Sequence, residues 1–284
     1  MRGALRRLRG IGGPLSAAPI DETMITDTHT HLFEPGLLRD LPAVLARARA
    51  AGVERCLVVG TDPDSSRLAR ELCRQHPGLF PTAGIHPGYS DSFHPDARAE
   101  IEALAAGPDV VAIGETGLDF FRGRGHESGQ LENFDWALDL ARRLDKPAVI
   151  HCRSAHIETA RAVAACPGVR AVMHCYGMGP EELPPYLEAG FYISFSGMVT
   201  YPKNGDNRRA AELVPLERLL VETDCPYLPP QDKRGQRNEP SFVPAVVSLL
   251  AELRGLTPVE LAALTSENAT RLFRLPAAAA PEAP

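Results

Sequence analysis

The chain has 284 residues, 44% hydrophobic and 23% charged, a composition that suits one large α/β domain or two small ones with a full core. A formal charge of -6 excludes the broadly basic face on which electrostatic binding of nucleic acid depends and leaves room only for a local basic rim. No apolar run approaches the roughly 20 residues of a membrane-spanning helix, and six cysteines without CxxC spacing exclude a disulfide scaffold or a zinc ribbon and suit a reducing cytoplasm.

Residues 1–23 open with Arg2, Arg6, Arg7 and Arg9 and hold no acid among the first twenty. They lack the apolar stretch of a secretory signal, and Gly and Pro at 10, 12, 13 and 14 oppose the amphipathic helix of an organellar transit peptide. A disordered extension is expected, with Met24 as an alternative first residue. From Met24 to Leu275, short β-branched or apolar runs alternate with segments of helical period. Strands are predicted over 25–32, 55–60, 80–86, 110–116, 148–153, 171–175, 191–196 and 219–223. The helices between them include 41–51, 65–75, 97–106, 130–144, 157–165 and 181–189. Two more, 243–253 and 258–272, follow the last strand, and the Ala/Pro tail from 276 to 284 reads as disordered. Eight such pairs over about 250 residues, without the Gly-rich first turn of a doubly wound sheet and without a P-loop, predict a single-domain (β/α)8 TIM barrel over 24–275.

The unusual His, Asp and Glu residues fall at the C-terminal ends of these strands, where barrel active sites are built. The first strand ends in His29-Thr30-His31, and a spacing of two turns both imidazoles to one face. Glu115 follows the apolar run VVAI on the fourth strand, so it must be paired, hydrated or metal-bound. Asp119 suits a loop or supporting role. His151 and His174 stand at the mouth ends of the fifth and sixth strands, with Cys152 turned toward the helices. Glu222 and Asp224 share a face at the end of the eighth. Asp224, nearest the mouth, can ligate a metal and accept the proton of an attacking water, while the deeper Glu222 can orient a histidine ligand. Imidazole and carboxylate donors together suit zinc, manganese or iron better than magnesium.

These motifs resemble the TatD family of metal-dependent hydrolases, TIM barrels of the wider amidohydrolase group usually described as deoxyribonucleases. The resemblance runs from Thr26 to Phe273 through DTHTHL, GIHP (84–87), GETGLDF (114–120), KPAVIHCR (146–153), MHCYG (173–177), YISFSG (192–197), LLVETDCPYLPP (219–230), RGQRNEP (234–240) and ENATRLF (267–273). It implies two divalent ions (Mg, Mn or Zn), one held by His29, His31, Glu115 and Asp224, the other by His151 and His174, with Glu115 as bridge. It also implies that His86 and Arg153 face the substrate. Phe33, where family members often carry an acid, and the long stretch 122–129 depart from the pattern at the mouth.

The implied reaction is hydrolysis of DNA phosphodiesters by a hydroxide generated at the metals, with Glu115 and Asp224 as catalytic residues and Arg153 neutralising a non-bridging oxygen. Arg122, Arg124, Lys203, Arg234 and Arg237 are expected in loops on the same face as a basic rim. Few exposed aromatics are expected, which argues against extensive base stacking. The alternatives are ester or amide hydrolysis, such as of a D-aminoacyl-tRNA, and a barrel that binds metal and a partner protein without turnover. Neither a membrane nor an obligatory protein partner is expected, and the cytoplasm is the expected location.

Overall fold

The computed structural model describes residues 24–89, 93–121 and 126–276. The expectations for 1–23, for 277–284, and for Arg122 and Arg124 lie outside the described residues.

Eight parallel strands follow one another around the barrel in chain order: β1 (Ile25–Thr30), β2 (Val53–Val58), β3 (Leu79–Ala83), β4 (Ala112–Asp119), β5 (Ala148–Arg153), β6 (Ala171–Met173), β7 (Tyr192–Phe195) and β8 (Leu219–Val221). The helices are α1 (Pro35–Leu38), α2 (Leu41–Ala50), α3 (Pro63–Gln75), α4 (Pro95–Ala105), α5 (Glu127–Arg143), α6 (His156–Ala165), α7 (Pro184–Glu188), α8 (Gly205–Leu213), α9 (Val243–Arg254) and α10 (Pro258–Phe273). The ring closes between β1 and the segment that follows β8, through a parallel bridge between Thr30 and Cys225. The TIM barrel predicted from the alternation is the fold observed.

Alternation along the strands divides the core. Leu57, Ala112, Val149, Val172 and Leu220 form one buried cluster with Ala269, Leu272 and Phe273 of α10. Their neighbours Val58, Ile113, Ile150 and Met173 pack under the helices with Phe134, Leu138, Ala162 and Val246. α10 starts at a capping box, Thr257 with Glu260. It is fixed to the N-terminal ends of β1 and β8: Ser266 Oγ accepts from Thr26 N and donates to Met24 O, and Asn268 Nδ2 donates to Leu219 O. One end of the barrel is thereby closed with apolar and hydrogen-bonded groups, and polar chemistry is left to the other.

The departures from the predicted elements have local causes. β6 and β8 stop short of 175 and 223, and the left-handed backbones of Cys175 (φ 44) and Asp224 (φ 59) turn the chain beyond them. The predicted helix 181–189 is a 3-10 turn followed by the short α7, because Pro184 and Pro185 lack the N–H groups a continuous helix needs. β4 runs to Asp119, past the predicted end at 116, and carries a bulge. Ile113 pairs with Ala148 and Thr116 with Ile150, so three steps on β4 match two on β5. Glu115 N leaves the ladder to donate to Gly60 O at 2.7 Å. Gly117 (φ 134) lies so close to β5 that a Cβ there would run into the backbone of His151. Among the described residues, no single helix is long and apolar enough to cross a membrane.

Candidate metal centre

The HxH pair at the end of β1, with His31 one residue beyond the strand, is buried, and the Nε2 atoms of His29 and His31 converge to 3.2 Å. The bulge on β4 aims Glu115, 3% exposed, between this pair and His151 on β5 and His174 just after β6. Its two oxygens face different partners. Oε2 lies 3.4 Å from His29 Nε2 and 3.7 Å from His31 Nε2. Oε1 lies 2.9 Å from both His151 Nδ1 and His174 Nε2, which are themselves 3.4 Å apart. Asp224, in the turn after β8, completes the first group with Oδ1 at 3.5 Å from His31 Nε2 and 3.8 Å from His29 Nε2. The six residues singled out as ligands in the sequence therefore meet in one place.

Hydrogen-bond partners sort the imidazoles by tautomer. His31 Nδ1 faces the carbonyl of Val59 at 2.9 Å, and His174 Nδ1 faces Glu222 Oε1 at 3.3 Å. An acceptor there keeps the proton on Nδ1 and leaves the Nε2 lone pair free toward Glu115. His86 is the reverse case. Gly88 N donates to its Nδ1 at 2.9 Å, so the neutral ring carries its proton on Nε2, which points to Glu115 Oε1 at 3.5 Å. His86, Glu115 and His151 have donor atoms close enough for one ion, as do His29, Glu115 and His174, and His29, His31 and Asp224. The tautomer marks His86 as a hydrogen-bond donor within that group and His31 and His174 as lone-pair donors.

Protonation follows from burial against charge. Burial lowers His29 and pushes His86 down to about 4, keeping both neutral. Burial also works to lower His31, His151 and His174, but the carboxylates beside them outweigh it and raise all three. Burial would raise Glu115, yet His86, His174 and His151 together hold it well below the usual carboxylate range. Imidazole nitrogens that converge in pairs on the oxygens of an ionised carboxylate fit divalent cations with mixed nitrogen and oxygen ligands.

A framework of which the sequence singled out only Asp119 holds these residues. Asp27 is fully buried, and burial pushes its carboxyl up to about 7. It joins the two strands that close the barrel: Oδ1 accepts from Thr223 N at 2.9 Å and His29 N at 3.3 Å, and Oδ2 accepts from Thr223 Oγ1 at 2.6 Å. Asp224 N then donates to His29 O at 2.9 Å. Asn238 Nδ2 ties down the same turn through Thr223 O and Tyr227 O, which gives the RGQRNEP block a structural role. Asp119, on β4, has Oδ2 at 3.3 Å from His151 Nε2. The expected basic rim is only partly free. Arg237 donates to Gly36 O and lies within 4.0 Å of Asp40 and Glu239, Arg234 packs over Tyr201, and Lys203 is exposed. Arg153 is exposed with its guanidinium 3.7 Å from the ring centre of Phe121, and Phe33 is buried with its ring centre 5.6 Å from that of His31.

A model of the family described as TatD related DNase matches residues 26–274. The chain belongs to the TatD family. It is 37% identical over 254 residues to the "Uncharacterized metal-dependent hydrolase YabD" of Bacillus subtilis, covering 89% of this chain and 100% of that protein. It is 38% identical over 261 residues to the "3'-5' ssDNA/RNA exonuclease TatD" of Erwinia billingiae, covering 88% and 99%. Among solved structures, the TatD homologue YjjV of Escherichia coli superimposes with a TM-score of 0.84 at 30% identity, covering 89% of this chain and 98% of that one. Membership of the TatD family makes the protein a metal-dependent hydrolase acting on ester bonds.

Replacing Asp27 with Ala strands the N–H and hydroxyl of buried Thr223 and is expected to cost about 2–4 kcal/mol of stability. Urea unfolding measures this directly, and a loss below about 0.5 kcal/mol, the scale of an ordinary surface substitution, would contradict the framework role.

Proposed function

We propose that this TatD-family hydrolase is a nuclease that cleaves DNA phosphodiester bonds at a centre of two divalent ions. The observation that carries the reading is the division of Glu115, whose two oxygens face two separate sets of imidazoles. His29, His31, Asp224 and Glu115 Oε2 would hold one ion; His151, His174 and Glu115 Oε1 the other. Ions bound there supply the Lewis acidity that makes water a nucleophile near neutral pH and steadies charge on the phosphoryl oxygens. The name of the Erwinia relative supports a nucleic-acid substrate.

The chain's own residues divide the remaining work. Asp224, with 13% of its side chain exposed against 4% for Glu115, is the carboxylate that an entering water reaches, and it accepts that water's proton. His86, neutral and carrying its proton on Nε2, donates a hydrogen bond to a non-bridging oxygen. Arg153 adds positive charge beside it. Glu222 accepts from His174 Nδ1 and so fixes that ligand's tautomer.

Incubation of the pure protein with labelled single-stranded DNA under Mg, Mn or Zn is expected to give cleavage. Asp224→Ala and His151→Ala should each lower kcat about 100-fold or more. No cleavage with any of the metals would sink the nuclease reading, and hydrolysis of a D-aminoacyl-tRNA in its place would move the same centre to a different ester. Metal affinity carries a pH signature as well. His31, His151 and His174 have raised values, so protons occupy their ligand nitrogens at low pH and must leave when an ion binds. Affinity is therefore expected to tighten as pH rises above the ordinary histidine value of about 6.5, with protons released in calorimetric titration. PH-independent binding without proton release would contradict this ligand set.

A further inference from the structure

Among the described residues, the aromatic side chains that are strongly exposed are Tyr89 (43%), Phe121 (60%) and Tyr227 (51%); the other large exposed hydrophobics, Leu68, Ile157, Leu213 and Val259, are aliphatic. Single exposed rings scattered over a surface need no explanation. These three are not scattered. They follow the C-terminal ends of β3, β4 and β8, and each touches a residue of the centre. The Tyr89 ring lies 6.2 Å from that of His86, the Tyr227 ring 6.0 Å from that of His31, and Phe121 lies against the guanidinium of Arg153.

The backbone that carries each ring is also held by a bond from its N–H to a site residue just before it in the chain. Tyr89 N donates to His86 O at 2.9 Å, Phe121 N to Asp119 Oδ1 at 2.9 Å, and Tyr227 N to Asp224 O at 2.9 Å. The Tyr227 hydroxyl is further engaged with Glu34 Oε1 at 3.4 Å. The turns that present the site thus fix the position of the rings while leaving much of each ring's surface to solvent. An ordered flat apolar face beside a phosphodiester centre is what an unpaired nucleobase stacks upon.

We propose that Tyr89, Phe121 and Tyr227 are base-stacking subsites that hold unpaired nucleobases on either side of the phosphate being cut. The proposal rests on the nuclease reading and names how its substrate is gripped. Every base has a π-face, so such contacts accept any sequence; bases in a duplex already use their faces on their neighbours, so the rings favour single strands. Stacking also explains how a chain with a formal charge of -6 can retain a polyanion without a broad basic surface. Arg153 covers one face of the Phe121 ring, which leaves the other face for a base and keeps a cation next to it.

Steady-state cleavage by the metal-loaded enzyme tests this with two substrates: a single-stranded oligonucleotide, and the same chain with abasic residues at its terminal positions on both ends. Tyr89→Leu, Phe121→Leu and Tyr227→Leu keep apolar bulk without the flat face, and Tyr89→Phe, Phe121→Trp and Tyr227→Phe keep the ring. The Leu variants are expected to raise KM at least about fivefold, the low end of ring–base stacking, with kcat nearly unchanged. The ring-retaining variants should match the parent. The abasic substrate should raise the parent's KM by a similar factor and remove the difference between parent and Leu variants. Leu variants that match the parent on the natural strand would overturn the proposal while leaving the nuclease reading intact. So would equal losses on both substrates, which mark a merely structural role. A parent that cleaves neither substrate would remove the nuclease reading and this one together.

Discussion

Glu115 is an ionised carboxylate sealed inside the barrel, and an isolated charge in that position would cost several kcal/mol. Four other strands supply the groups that offset this cost. His29 and His31 stand off one oxygen, and His151, His174 and His86 off the other. Remove the carboxylate and five imidazoles lose the one group they share, leaving Asp224, Asp119 and Glu222 each beside a different part of the cluster. Remove the imidazoles and the carboxylate must take up a proton. Divalent ions shared across the carboxylate would resolve the remaining repulsion between paired nitrogens, which links the geometry of the centre to the metal dependence of its family.

The backbone is arranged around this requirement. The bulge at 113–116 and the left-handed Gly117 bring β4 close against β5, which places Glu115 and His151 in contact. At the seam between β8 and β1, Asp27 couples the strand that carries the HxH pair to the turn that carries Asp224. Stability is concentrated at the opposite end, where α10 packs on the inner apolar cluster. The mouth can then carry charge, exposed rings and irregular backbone without bearing the load of the fold.

Much of this was legible in the chain. The alternation of apolar runs with helical periods carries the barrel, since each βα unit writes its own local pattern. The ligand-type residues stood out because a histidine or carboxylate directly after a β-rich run has few structural uses. Asp27 was passed over although it precedes His29 by two residues, since its partner Thr223 is 196 positions away and pairing over that distance leaves no local pattern. The tautomers that separate His86 from His31 depend on Gly88 N and Val59 O, backbone groups that any sequence carries, whereas the partner of His174, Glu222, is a side chain that the sequence marks. Strongly exposed aromatics are few among the described residues, as expected, but their grouping was not legible: Tyr89, Phe121 and Tyr227 are ordinary core-type residues until the turns after β3, β4 and β8 expose them together. The expected basic rim met the opposite outcome at Arg237, which the fold spends on Gly36, Asp40 and Glu239.

A carboxylate shared between two ions is tested most directly by metal content. Protein purified without chelator, loaded with Mn or Zn and freed of excess ion should hold two ions per chain by elemental analysis, and Glu115→Gln should lower that number. A parent protein that saturates at one ion per chain, or a Glu115→Gln variant that still holds two, would contradict it.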